Sequence, residues 1–268
     1  MSTSTRARIS LRTLALAYLL LVVLIPISMI AYRTFEPGFG AFWASITTPA
    51  AISALQLTVL ILAIVVPLNA VFGVALALAL VRGHFPGKRW VHAVIDLPFA
   101  LSPVVVGVSL VLLWGAHGWF GGLDSMGIHV IYALPGMVLA TIFVTLPFVT
   151  REVEPVLREI GSEQEQAAAT LGASAGQTFR KITLPAIRWG LTYGVVLTVA
   201  RALGEFGAVS VVSLGFAGQT QTLTLLVNTR YSADHNISGA YAAATLLMLV
   251  ALAVLALLTV VDRKRRTL

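Results

Sequence analysis

Six apolar stretches, each long enough to cross a bilayer, dominate the 268 residues of this chain. They run over residues 11–32, 53–81, 91–114, 130–150, 190–212 and 239–261. A hydrocarbon core of about 30 Å takes about 20 helical residues, which each of these runs supplies. With 58% hydrophobic and 11% charged residues, the chain lacks the polar surface that an aqueous globule of this size carries. The expected fold class is therefore an all-α integral membrane protein of six transmembrane helices in a single transmembrane domain, residues 1–268.

The basic residues orient the spans. Arg6 and Arg8 precede the first span, and Arg12 stands at its very start. Arg82, Lys88 and Arg89 lie between the second and third, and Arg151, Arg158, Arg180, Lys181 and Arg188 between the fourth and fifth. Arg263, Lys264, Arg265 and Arg266 follow the sixth. Of the 18 Lys and Arg residues, only Arg33 and Arg230 fall on the other side, and Arg201 falls within the fifth span. By the positive-inside rule both termini are expected in the cytoplasm. The same distribution accounts for the net charge of +7 without nucleic acid, since the charges are dispersed over four short segments already explained by topology. The segment from Arg6 to Arg12 resembles the charged start of a signal peptide. The apolar run after it exceeds an h-region, however, and lacks a small-residue cleavage site before Arg33, so the first span is expected to stay as an anchor.

Several chemistries have no residues to carry them. There is no cysteine, hence no thiol nucleophile, thiolate metal site or disulfide. The nearest approach to a phosphate-binding P-loop, Gly83 to Lys88, is one residue short between its glycines and lacks the following Ser or Thr. His84, His92, His117, His129 and His235 are scattered without ligand spacing. The chain is read as neither an ATPase nor a metalloenzyme, and no cofactor is expected. Pro67, Pro98, Pro103 and Pro147 predict kinks, and Asn69, Gly73 and Ala77 form a stripe of small residues suited to close helix packing.

Two features stand out from this background. In the fifth span, Arg201 and Glu205 lie four residues apart, a spacing that puts them on one helix face. Charges at membrane depth face a bundle interior or a watery path, so the pair is either a pathway or gate element or a self-neutralised structural pair. The other is the polar segment 151–189 between the fourth and fifth spans. Ser162 is placed as an N-cap, with Glu163 and Glu165 in the first turn of a helix through Ala167–Ala169. Gly172 is the expected stop, Gln177 to Ile182 a second short helix, and Pro185 the return toward Trp189. Such a segment is either a folded knob for docking or an amphipathic loop on the membrane surface.

Gln166, Ala167 and Ala168, then Gly172, Ile182, Leu184 and Pro185 reproduce the spacing E-A-A-x3-G-x9-I-x-L-P. This segment resembles the EAA loop of permease subunits in ABC importers, with Gln166 at the motif's glutamate and Glu165 immediately before it. DLPFALSPVVVG from Asp96, ALPGMVLATIFVTLPFVTREVEPVL from Ala133, ITLPAIRWGLTYGVVL from Ile182 and RALGEFGAVSVVS from Arg201 resemble sulfate/thiosulfate permeases of the CysW type. The RALGEFG part is shared with molybdate permeases, and Thr224 stands where the family has a proline after the fifth span.

The resemblance implies the type I ABC importer permease fold. It also implies a pathway built with a second, CysT-like permease, a CysA-like ATPase dimer coupled through the EAA loop, and an extracytoplasmic sulfate-binding protein. The setting it implies is multi-pass, in lipid of a bacterial plasma (inner) membrane. Glu165, Gln166, Ala167, Ala168, Gly172, Ile182, Leu184 and Pro185 would form the ATPase-coupling surface. An ion-coupled secondary transporter is the rival from another class. It calls for a midplane ion site and inverted repeats, and Glu205 is the one candidate carboxylate.

Overall fold

The computed structural model describes residues 5–266, and every regular element among them is helical. α1 (Thr5–Leu19) passes through a π-helical turn, Leu20–Leu24, into α2 (Ile25–Phe35). A short α3 (Phe39–Ile46) follows, and then the 34-residue α4 (Pro49–Arg82). Thr48 opens α4 by accepting from the amide of Ala51, with Pro49 at the first helical position, where its missing N–H is harmless. Next come α5 (Lys88–Ala100), α6 (Pro103–Trp114), a one-turn α7 (Gly122–Ser125) and α8 (Leu134–Ile160). The chain continues through α9 (Glu163–Thr170), α10 (Ala175–Thr178), a π turn Phe179–Thr183 and α11 (Leu184–Leu203). It ends with α12 (Gly207–Val212), α13 (Leu223–Asn228), a π turn Thr229–Ala233 and α14 (Ile237–Arg266).

Five of these runs are long and apolar enough to cross a membrane: Arg12–Phe35, Pro49–Arg82, Leu134–Ile160, Ala175–Leu203 and Ile237–Ala256. The third expected span, 91–114, is not one helix. α5 and α6 meet at a bend of 114°, and only if this pair is taken as one span does the number reach six. Local sterics produce the break. Pro103 disfavours helical backbone at the residue before it, and both Leu101 and Ser102 are extended, so Pro103 starts a new helix where a kink was expected. The first half of the broken pair is tied to α8 by Arg151, which grips Asp96 through Nε at 2.8 Å and through a second bond from Nη2. Glu154, buried on α8, accepts from Arg158 Nη2 at 2.6 Å and lies 3.7 Å from His92 of α5.

α4, α8 and α11 form the packed centre. The small residues at their contacts set the spacing, since a Cβ at Gly73 would sit 2.6 Å from the Val149 Cβ, and one at Gly190 only 2.5 Å from the Glu152 carbonyl oxygen. Asn69, Gly73 and Ala77 all face this contact and are buried, and Asn69 donates to Thr145 Oγ1 at 2.6 Å. At one end Val74, Ala77, Val149, Val153, Leu157 and Ile187 make an apolar cluster. A larger cluster joins α4, α6, α8 and α12 around Val65, Met137 and Val212. α2 reaches the bundle through Thr34, whose hydroxyl donates to the Tyr241 carbonyl of α14 at 3.0 Å. By contrast, residues 12–29 have no buried side chain and present an apolar surface outward.

Two expected boundaries move. α8 continues ten residues past the end assigned to the fourth span and occupies the first part of the segment read as a loop. The fifth span stops at Leu203. Residues 204–206 are non-helical and α12 is a separate short helix, so 190–212 is a helix, a break and a second helix.

Candidate functional site

The polar segment folds at the end of α4 and α8. Gly161, at φ +63°, closes α8 and turns the chain into α9. Ser162 occupies the N-cap position, but its side chain makes no cap bond. Its hydroxyl instead accepts from Gln166 Nε2 at 2.9 Å. α9 ends in a Schellman motif around Gly172 at φ +85°. There the Gly172 amide donates to the Ala169 carbonyl and the Ala173 amide to the Ala168 carbonyl, both at 3.0 Å. Next, Ser174 and Gln177 form a capping box that starts α10. The second short helix of the sequence reading is not free-standing. It passes through the π turn Phe179–Thr183 directly into α11, and the wider turn absorbs the donor missing at Pro185.

Glu165 locks this assembly from within. Its Oε2 accepts from Arg82 Nε at 2.9 Å and its Oε1 from Thr183 Oγ1 at 2.8 Å. Arg82, the last residue of α4, also donates to the carbonyls of Leu157 at 3.2 Å and of Gly161. One guanidinium and one carboxylate thus join α4, the end of α8, α9 and the entry to α11. Phe179 packs beside Ile187 and Leu157, so the π turn leans on the same apolar cluster.

The motif residues divide accordingly. Gln166, Ala167, Gly172 and Pro185 are exposed, Ala168, Ile182 and Leu184 are half-buried, and Glu165 is turned inward. Leu171, which sequence reasoning did not single out, is 88% exposed at the tip of α9, a large apolar side chain held in front of the assembly. Arg82 and Thr183 were also missed. Arg82 reads as one more topology charge, and Thr183 fills an unspecified place between the motif's Ile and its Leu-Pro.

The second candidate lies at the break after α11. Arg201 Nη1 is 2.7 Å from Glu205 Oε2, so the two charges do meet. They do not share a helix face, because α11 has ended and Glu205 sits in the connection to α12. There its Oε1 accepts from the Ala208 amide at 2.8 Å and caps the start of α12. The Glu205 side chain is 1% exposed and the Arg201 side chain 33%. Thr224 donates to the Glu205 carbonyl at 2.8 Å, a bond that a proline there cannot make.

The described residues thus form a long, braced helical core with a folded knob at one end and a charged break after α11. Residues 69–267 match the family described as "Binding-protein-dependent transport system inner membrane component". The chain belongs to this family. Among similar inner membrane components, the sulfate transport system permease protein CysW of Synechocystis is 50% identical over 252 residues, 94% of this chain and 91% of that protein. CysW of Escherichia coli K12 is 46% identical over 86% of this chain and 79% of that one. The permease protein CysT of the same bacterium is 37% identical, covering 88% and 87%. A crystal structure of a bacterial ABC transporter involved in the import of the acidic polysaccharide alginate contains a chain that superimposes with a TM-score of 0.80. At 18% identity, over 97% of this chain and 96% of that one, it speaks for the fold alone. The chain is thus a multi-pass inner membrane component of an ABC transporter.

Proposed function

We propose that the chain is one of two permease subunits of an ATP-driven importer for sulfate and thiosulfate. Near-full-length identity of 46–50% to CysW sulfate permeases carries this reading. Similarity to CysT, 37% identical, supports a second permease of related fold as its partner across the pathway. An extracytoplasmic binding protein would deliver the anion and a separate CysA-like ATPase dimer would supply the force.

The coupling surface is α9 with its Schellman turn: Gln166, Ala167, Leu171 and Gly172 in front, Ile182, Leu184 and Pro185 behind. A push on α9 reaches the bundle by two rigid connections. The salt bridge from Glu165 to Arg82 leads into α4, and the unbroken run from α10 into α11 leads to the Arg201–Glu205 break. Closure of the ATPase dimer would carry α9 and its counterpart together and swing these helices toward an outward-facing state. The cation that would meet an anion at the break is Arg201, whose side chain is 33% exposed and paired with Glu205 Oε2. The distribution of basic segments supports a cytoplasmic side for α9 and both termini.

Reconstitution with the cognate ATPase, second permease and binding protein tests the reading. ATP-dependent uptake of labelled sulfate, competed by thiosulfate, is the expected result. Uptake of molybdate without sulfate would move the assignment to another oxyanion, and uptake driven by an ion gradient without ATP would overturn it.

A further inference from the structure

Arg230, in the π turn after α13, is 6% exposed. Its Nη1 donates to Ser45 Oγ and to the Gly239 carbonyl, both at 3.0 Å. Its Nη2 donates to the Ser45 carbonyl at 3.0 Å and to Thr48 Oγ1 at 2.9 Å. All four acceptors are neutral. Among the described residues no carboxylate comes within ion-pairing distance of it: Asp234 acts only at longer range, and Glu36 is taken by Arg33 at 2.9 Å. Burial holds this guanidinium below the usual arginine range, the mark of a charge removed from water without a counter-charge. Four hydrogen bonds fix its position but leave its charge unbalanced, a costly state in a low-dielectric setting.

A cavity of about 340 Å³ opens beside it, lined by Thr34, Ser45, Thr48, Asn236 and Ser238 among others. Among the described residues no acidic side chain lines it. α14 begins at the same place, and the positive end of its dipole adds to the potential there. The cavity lies at the start of α4, whereas the coupling knob lies at its end. Those 34 residues correspond to about 50 Å, so this is the opposite face of the bundle.

We infer that this cavity binds a tetrahedral oxyanion, with Arg230 supplying the charge and the hydroxyl of Ser45 and the amide of Asn236 supplying neutral contacts. Its place on the face away from α9 makes it a reception site within a single permease half, separate from the Arg201 break. The choice of sulfate as the free anion rests on the function proposed above. A phospholipid phosphate offers the same chemistry from the surrounding leaflet.

The chain has no native cysteine, so Ser238→Cys, at an exposed lining position outside the Arg230 bonds, gives this subunit a single thiol, whose labelling is read on this subunit alone within the assembled transporter. Its labelling in nanodiscs is followed with methanethiosulfonate reagents of opposite charge, each normalised to its rate on a free thiol. The expected result is a preference of about 10-fold or more for the anionic reagent, the enrichment that a focused positive potential produces. Sulfate should slow the reaction while chloride at equal ionic strength does not. Protection that instead requires phosphatidylglycerol, and ignores sulfate, makes the lipid phosphate the occupant. Arg230→Gln should abolish the preference. If that variant fails to assemble, the reagent ratio with Arg230 in place still decides. Equal rates for both reagents, with no protection by sulfate or anionic lipid, would reduce Arg230 to a staple between α3, α4 and α14. Because the readout is labelling, it stands apart from whether sulfate is transported.

Discussion

Arg82 Nε and Glu165 Oε2, 83 residues apart in sequence, meet at 2.9 Å and join the end of α4 to α9. The carboxylate beside the EAA position therefore points into the protein, and the residue at that position, Gln166, points out. Glu165 is a brace for α9, and any contact with an ATPase falls to its neighbours.

Glu165→Ala is expected to leave membrane insertion unchanged and to loosen the knob. A charge-assisted, half-buried bond of this kind contributes about 1–3 kcal/mol, so amide exchange over residues 161–172 should rise and uptake should fall several-fold. Glu165→Gln, which keeps an acceptor for Thr183, should lie between wild type and Glu165→Ala. Gln166→Ala should have little effect on exchange. Equal exchange in all three variants would contradict the bracing role.

Gly172 at φ +85° has no atom within 4 Å of where a Cβ would stand, so any penalty there is conformational and steric crowding plays no part. Valine disfavours the left-handed region strongly, asparagine much less. Gly172→Val should keep its membrane level but lose most transport, and Gly172→Asn should retain most of it. Leu171→Cys, fully presented, should crosslink to a cysteine on the ATPase with an efficiency that changes on ATP binding. Wild-type uptake in Gly172→Val together with no crosslink from α9 would remove the coupling assignment.

For the Arg201–Glu205 pair the geometry changes which experiment discriminates. Exchanging the two residues places an arginine at 205, where it cannot accept from the Ala208 amide, so the exchange fails whether the pair is structural or lines a pathway. Arg201→Ala strands a carboxylate that is 1% exposed and should lower stability by about 3 kcal/mol. Arg201→Gln with Glu205→Gln keeps the cap and removes both charges. Normal uptake in that double variant identifies a structural pair. Loss of uptake by an assembled, thermally stable transporter identifies Arg201 as part of the anion path.

Gly190 and Gly194 hold α11 against α8. A Cβ at either would meet backbone, 2.5 Å from the Glu152 carbonyl oxygen or 2.8 Å from the Val149 Cα, and neither helix can yield locally. Gly190→Ala or Gly194→Ala should each cost about 1–3 kcal/mol and lower the unfolding midpoint measured in detergent. Gly176→Ala, with nothing within 4 Å, is the control and should be neutral.

Hydropathy and local steric rules are carried by neighbouring residues, so the long helices, the stop at Gly172 and the small-residue stripe at Asn69, Gly73 and Ala77 were legible in the sequence itself. The same rules, applied harder, contain the break at Leu101 and Ser102, since Pro103 restricts the residue before it. The size of that break was not legible, because a proline permits a kink or a full stop, and the packing of the two helices, with α5 tied to α8 through Asp96 and Arg151, accompanies the full stop seen here. Four-residue spacing put Arg201 and Glu205 together but gave the wrong reason, as helix periodicity carries no sign that α11 ends at Leu203. Arg82 with Glu165, and Arg230 with Ser45 at a separation of 185 residues, were beyond reach. A charge beside a membrane span has the same local signature whether it meets water or a partner, and only the packing of distant helices selects between them.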